Sequence, residues 1–301
     1  MKNQILNRKI VVGTAQFGDK YGITNTKGSP NFNEISKILN VSKNENIRFI
    51  DTAANYKKVE KKLGRYDVKS FEIITKIPKI LPCKGSIKQK ILKIVSTSVR
   101  DLRKKSLYAI LLHDSSDLKG RGKKEVYETL LFLKKRKLVK KIGVSIYNVD
   151  EIMNLINNFK IDIIQVPLNL IDRRILDKKL LDFLKKKDIE IHVRSIFLQG
   201  LLLSKKIQNN QFKKYSKIWK NLDLNCKKNK IDILTLALNF VFSQKDIKKI
   251  IIGFDNSIQL SKILKCIKKF RYLKEIDFFE NLISKDKKLI NPNYWNDKKI
   301  I

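Results

Sequence analysis

The chain has 301 residues, a formal net charge of +37 and 43% hydrophobic residues. That apolar content suffices for one large core. No stretch has the length of a membrane span or the apolar centre of a secretory leader, which predicts a cytoplasmic protein with no membrane partner. Cys83, Cys226 and Cys266 lie far apart with no C-x-x-C or His-rich spacing, so neither a disulfide framework nor a zinc site is predicted. The lysines are spread along the whole chain together with abundant Asn and Ile, the residues that AT-rich codons encode. They form no basic arm and no aromatic-interleaved groove, so no specific nucleic-acid partner is predicted; the charge implies diffuse attraction of anions.

In chain order, short apolar runs at residues 10–14, 48–51, 71–76, 109–113, 141–145, 162–166, 190–195 and 249–253 read as strands. Lysine-rich segments of helical period stand near 33–44, 59–64, 87–104, 123–137, 150–158, 174–187, 231–243 and 257–270. Eight strand–helix units predict an α/β fold, a (β/α)8 TIM barrel, as a single domain over 1–301 with a C-terminal tail from about 271. Runs such as Ile250-Ile251-Ile252 and Ile163-Ile164 suit strands covered on both faces. Three long connections, 77–86, 114–122 and 196–211, all follow strands and so share one face. Leu201-Leu202-Leu203 in the last of them either lines a pocket or pins the loop. Asp172-Arg173-Arg174 either contacts an anionic ligand or, the preferred reading, caps and opens the sixth helix. Tyr294 and Trp295 predict a tail that docks on the barrel. No feature selects an oligomeric state.

Asp51, Lys76 and His113 each close a predicted strand, and Tyr56 follows Asp51 in the next loop. A charge that ends a buried strand is costly unless it is paired or used. Alternation puts Asp51 with Phe49, Lys76 with Ile74, His113 with Leu111, Ser145 with Gly143 and Gln165 with Ile163, so these side chains meet at one rim. Tyrosine is a poor acid at neutral pH, its reference pKa being about 10. A nearby ammonium lowers that value, and a buried ammonium needs a counter-ion. Lys76 and Asp51 supply the two. A histidine beside the phenol can polarise a carbonyl oxygen. Such a proton donor lacks a reductant, which implies a hydride cofactor. His192 shares the parity of Arg194 but lies a layer deeper, and reads as a core histidine.

Taken together, Gly13-Thr14-Ala15-Gln16-Phe17-Gly18, Phe49-Ile50-Asp51-Thr52-Ala53-Ala54-Asn55-Tyr56, Glu60 with Leu63-Gly64, Thr75-Lys76, Leu111-Leu112-His113, Ile142-Gly143-Val144-Ser145, and Ile252-Gly253 before Gln259-Leu260 resemble the aldo/keto reductases over nearly the full length. The resemblance implies NADPH, or NADH, bound across the C-terminal rim, and hydride transfer to a small-molecule aldehyde or ketone, a sugar derivative among the options. It implies Tyr56 as general acid, Lys76 depressing the Tyr56 pKa, Asp51 holding Lys76, and His113 orienting the carbonyl. By matching position, Ser145 and Gln165 would hold the nicotinamide carboxamide. Ser195, Leu198 and Gly200 would line the pyrophosphate, and Gly253, Phe254, Asp255 and Gln259 the adenosine end.

Departures from the family pattern are specific. Ile146 follows Ser145 where Asn is frequent. Arg194 stands where many members place a tyrosine under the nicotinamide, and arginine can also stack on a planar ring. Gly253 and Gln259 replace basic residues of NADP-preferring members, with Lys262 nearby. Lys57 and Val59 replace the usual Gly and Ser after Tyr56. The alternative is a regulatory barrel that keeps the cofactor with little turnover; the intact set of Asp51, Tyr56, Lys76 and His113 speaks against it.

Overall fold

Runs of β-branched and aliphatic residues make the strands, because such side chains suit a pleated surface buried on both faces. In the computed structural model, which describes residues 6–204, 210–270 and 281–295, they are β1 (Ile10–Gly13), β2 (Phe49–Asp51), β3 (Glu72–Ile77), β4 (Leu107–Leu112), β5 (Val139–Ser145), β6 (Ile163–Pro167), β7 (Glu190–Arg194) and β8 (Ile247–Gly253). All pair in parallel, each with its chain neighbour, and β8 returns to β1 to close an eight-stranded barrel. The predicted (β/α)8 barrel is the fold observed.

Register carries the rim. Gly13 pairs with Asp51, Asp51 with Ile74, Lys76 with Leu111, Ser145 with Gln165 and Gln165 with His192. The barrel interior is a small apolar layer of Ile74, Ala109, Leu111 and Ile163, with Phe49 and Tyr108 packed on it. Phe49, Ile74, Leu111 and Ile163 are the residues that alternation pairs with the rim side chains. Gly143 lets this layer close, since a Cβ there would lie 2.3 Å from the Ile163 carbonyl oxygen and 2.7 Å from Leu111. The opposite strand faces, including Ile50, Ile73, Ile110, Val144 and Ile164, join the buried sides of the helices in one larger core. Each such fully buried side chain stabilises by roughly 1.5–3 kcal/mol.

Helix starts follow capping chemistry. Asn31, Ser86, Asp232 and Asn256 accept from the backbone N–H of Glu34, Gln89, Thr235 and Gln259, each cap worth about 1 kcal/mol. The sixth helix departs from its prediction. A 3-10 turn, Arg174–Leu176, comes first, and the helix Lys178–Lys186 is capped by Asp177, whose side chain accepts from Leu180. Asp172 is instead fully buried and ion-paired with Arg174 at 2.9 Å. The helix Ser216–Lys228 is absent from the predicted elements; it packs Ile218, Trp219, Leu222 and Cys226 against the core.

A fourth long connection, residues 14–31 after β1, joins the three predicted ones on the same face. Asp117 staples two of them together by accepting from the N–H groups of Ile80 and Leu81. The predicted tail splits in its behaviour: Trp295 is buried against Phe212, ring centroids 5.2 Å apart, and donates to the Leu289 carbonyl, whereas Tyr294 is 52% exposed. The rest of that predicted tail, 271–280 and 296–301, lies outside the described residues, as do 205–209 of the loop after β7. No helix among the described residues is long and apolar enough to cross a membrane.

Candidate active site

The strands end at a cavity of about 580 Å³ whose wall includes Asp51, Tyr56, Lys76, His113, Gln165 and Arg194. All four residues predicted to carry the chemistry therefore meet there. Lys76 and Asp51 sit almost without solvent contact at its floor, 1% and 3% exposed, and form an ion pair. Lys76 also donates to the Thr52 carbonyl at 2.8 Å, and the second Asp51 oxygen accepts from Gln165 Nε2 at 2.8 Å. Burial lowers the Lys76 pKa and the Asp51 charge opposes that drop. Glu60, also buried, accepts from Thr75 and Ser98, tying β3 to its neighbouring helices.

Tyr56 stands above this pair. Its ring centre is 5.4 Å from the Lys76 amine and 5.9 Å from the His113 ring. Among the described residues its hydroxyl makes no hydrogen bond. Burial, then the charge of Asp51, pushes the Tyr56 pKa up, and Arg194 pulls it back. His113, just past β4, is held neutral well below the usual imidazole range, at about 3, by burial and by the charges of Lys76 and Arg194. Its Nδ1 lies 3.2 Å from Asn55 Oδ1.

Other predicted residues are distributed unevenly. Ser195, Gly200, Gly253, Asp255 and Gln259 line the cavity. Ser145 is 5% exposed, and Leu198 and Phe254 are fully buried, so any contact they make to a ligand passes through the backbone or the cavity floor. Asp255 and Gln259 bond each other, Asp255 N–H to Gln259 Oε1 at 2.9 Å and Gln259 Nε2 to Asp255 Oδ2 at 3.1 Å. His192 is the core histidine predicted, fully buried and 3.2 Å from Glu190. Leu201 and Leu202 are buried and pin the loop after β7, while Leu203 lines the cavity. In that loop Ser195, Leu198, Gln199 and Gly200 all have positive φ, between 48° and 92°. A Cβ on Gly200 would lie 2.1 Å from Thr24 Oγ1, so glycine is what lets the β7 loop meet the β1 loop. Strained backbone of this kind clusters where ligands are clamped.

Tyr147 and Tyr21 escaped the sequence reading, and Gln16 and Asn55 stood in its motifs without an assigned role. Tyr147 was accessible to it, being two residues past Ser145 in the loop that leaves the rim. Tyr21 and Gln16 reach the cavity only because the β1 loop folds back, with Ile23 N–H donating to the Gln199 carbonyl and Asn25 to Asp255. Gln165 stands in the cavity wall, and its buried Oε1 has no hydrogen-bond partner among the described residues. It suits the N–H of an amide such as a nicotinamide carboxamide, while Gln165 Nε2 remains committed to Asp51.

Comparison with known proteins places this geometry. A structure from Pseudomonas aeruginosa, provisionally named an aldo-keto reductase, superposes with a TM-score of 0.64 at 20% identity over 87% of this chain and 90% of that one. The glycerol dehydrogenase of Gluconobacter oxydans does so with a TM-score of 0.69 at 20% identity over 91% and 90%. At that identity the likeness speaks for the fold. A comparison with curated proteins gives no match. The family model described as the aldo/keto reductase family matches residues 9–278, the whole barrel with β1 at one end and the helix after β8 at the other. The chain belongs to the aldo/keto reductase family.

Proposed function

We propose that this protein is an NAD(P)H-dependent carbonyl reductase that converts a small polar aldehyde or ketone, a sugar derivative being one candidate, to its alcohol. The observation that carries this reading is a phenol without a hydrogen-bond partner among the described residues, opening into a cavity beside a neutral histidine and above a buried amine–carboxylate pair. The unpartnered Gln165 Oε1 and the left-handed β7 loop fit a nicotinamide dinucleotide. Ser145, Gln165 and Arg194 would hold its nicotinamide end, Ser195, Leu198 and Gly200 its pyrophosphate, and Gly253, Phe254, Asp255 and Gln259 its adenosine end. Lys262, on the cavity wall, is the basic group available to a 2′-phosphate, which favours NADPH.

When bound, the reduced nicotinamide supplies the hydride that adds to the carbonyl carbon. Everything else falls to side chains. Tyr56 keeps its proton at neutral pH, because burial and Asp51 hold its pKa up. It releases that proton to the carbonyl oxygen as negative charge develops there, since an alkoxide is a stronger base than a phenolate. Lys76 then lies close enough to steady the phenolate until solvent restores its proton. Oxidation of NADPH and of NADH against an aldehyde and ketone panel tests this; the reading is lost if no carbonyl compound drives oxidation of either.

A neutral imidazole carries a single N–H. With Oδ1 of Asn55 facing Nδ1, the proton sits on Nδ1 and Nε2 presents a lone pair; turning the Asn55 amide over moves the proton to Nε2, where it can donate to a carbonyl oxygen. Asn55→Asp removes that choice, because a carboxylate only accepts. We expect kcat/KM for carbonyl reduction to fall on the order of 10–100-fold in Asn55→Asp, with Asn55→Gln retaining more, as steady-state kinetics will show.

Protonation of His113 is displaced far from neutrality, so the pH profile of kcat/KM should show no limb near the usual imidazole value of 6.5. Stability carries the opposite imprint. Between about 6.5 and about 3 the unfolded chain takes up a proton that folded His113 refuses. Stability therefore drops as pH falls through that window and is unaffected by this group above it. Denaturant titrations of wild type and His113→Gln from pH 7 to about pH 4 should converge toward the acid side; parallel curves would show that His113 is not held neutral.

A further inference from the structure

Arg194 ends β7 in the cavity wall, and its field reaches both Tyr56 and His113. One face of its guanidinium lies over the Tyr147 ring, with Cζ 3.9 Å from the ring centre. Tyr147 is itself held from behind: its carbonyl accepts from Arg174 Nη2 at 3.1 Å, and Arg174 is locked by two bonds of 2.9 Å to the fully buried Asp172. The stacked pair is thus a braced platform, and the guanidinium on it is oriented before any ligand arrives.

Its N–H edge, by contrast, is nearly idle. The bond to Ser195 Oγ is long, 3.4 Å, and among the described residues no carboxylate comes within ion-pair distance of Arg194. Asp51, the acid at the cavity floor, has both oxygens committed, to Lys76 and to Gln165. Asp255 is engaged by Gln259 and Asn25, and Asp232 caps a helix. Around the cavity Tyr21, Tyr56 and Tyr147 add hydroxyls, and burial holds the Tyr21 and Tyr56 phenols protonated. A half-buried, pre-oriented guanidinium whose charge no described carboxylate answers is suited to a planar or tetrahedral oxyanion, which it can grip with parallel N–H bonds. Contact with a flat cofactor ring uses the guanidinium face and leaves this edge open.

We propose that Arg194, braced on Tyr147, anchors an anionic group of the substrate, so that the carbonyl compounds reduced here carry a carboxylate or a phosphate within a few atoms of the reacting carbon. This deepens the reductase reading and rests on it. Two matched pairs test it: butanal against succinic semialdehyde for the carboxylate, and glyceraldehyde against glyceraldehyde phosphate for the phosphate. In the wild type the anionic member of at least one pair has the higher kcat/KM, and the pair that shows the preference identifies the group. In Arg194→Met the ratio of anionic to neutral kcat/KM falls on the order of 100-fold, most of it in KM. Arg194→Lys keeps the charge without the fork and recovers part of the ratio, which a purely structural role would not produce. Taking a ratio cancels effects common to both substrates.

Equal ratios in wild type and both variants overturn the proposal. So does a loss of NADPH affinity in Arg194→Met, read by fluorescence titration, as large as the loss in the ratio, since the anion would then be the cofactor's. If the wild type turns over neither member of either pair nor any other carbonyl compound, the reductase reading itself fails and this inference goes with it.

Discussion

Tyr56→Phe should lose carbonyl reduction by about 10²–10⁴-fold in kcat while binding the cofactor as the wild type does. The substitution removes one oxygen, and that oxygen makes no hydrogen bond within the described protein. The ring's edge contact with His113 and its position over the Lys76 amine remain. Folding stability should therefore hold, which separates this variant from one that merely damages the barrel. Steady-state kinetics beside a fluorescence titration of NADPH make the measurement. Undiminished reduction would remove Tyr56 from the acid's place and leave the neutral His113 as the nearest proton carrier. Because burial and Asp51 hold the phenol's proton tightly, the wild-type reduction rate should stay level through neutral pH and well into the alkaline range.

Lys76→Met has the largest expected effect on stability. The amine is 1% exposed and holds an Asp51 carboxylate that is 3% exposed, leaving Gln165 as that carboxylate's remaining partner once Lys76 is gone. Removing one partner of a buried ion pair costs about 3–5 kcal/mol, because the other charge is stranded where water cannot reach it. Denaturant titration reads this as a lower midpoint with an unchanged slope. Adding Asp51→Asn to Lys76→Met should restore much of the loss, since the stranded charge is then gone. Turnover should stay low in the double variant, because the cation beside the phenolate is still missing. Recovery of stability together with activity would show the pair to be a structural element alone. A Lys76→Met protein as stable as wild type would mean that Asp51 takes up a proton at little cost, and the ion pair would carry none of the fold's stability.

Much of the rim was legible from sequence because two periodicities combine there. Strand alternation links Asp51 to Phe49, Lys76 to Ile74 and Gln165 to Ile163, and the apolar members of these pairs do form the barrel's inner layer. A parallel barrel closes with every strand pointing the same way, so residues ending successive strands gather at one mouth whatever the details of the helices. The sixth helix was harder. Asp172, Arg173 and Arg174 have the composition of a cap, but Asp177 has the backbone geometry of one, and Asp172 is drawn inside by Arg174.

The sequence alone determined the strand–helix count, the direction of the barrel, and the identity of the ionisable side chains delivered to its mouth. These follow from local pattern: alternation, cap chemistry, and the cost of ending a buried strand on a charge. Only the tertiary structure decided which of those charges are answered. Asp51 spends both its oxygens on Lys76 and Gln165, and Asp172 spends its own on Arg174. Arg194 reaches the cavity with Tyr147 beneath it and, among the described residues, no carboxylate in range. Electrostatic compensation is a property of distances between elements far apart in the chain, and no reading of neighbours along the backbone contains it.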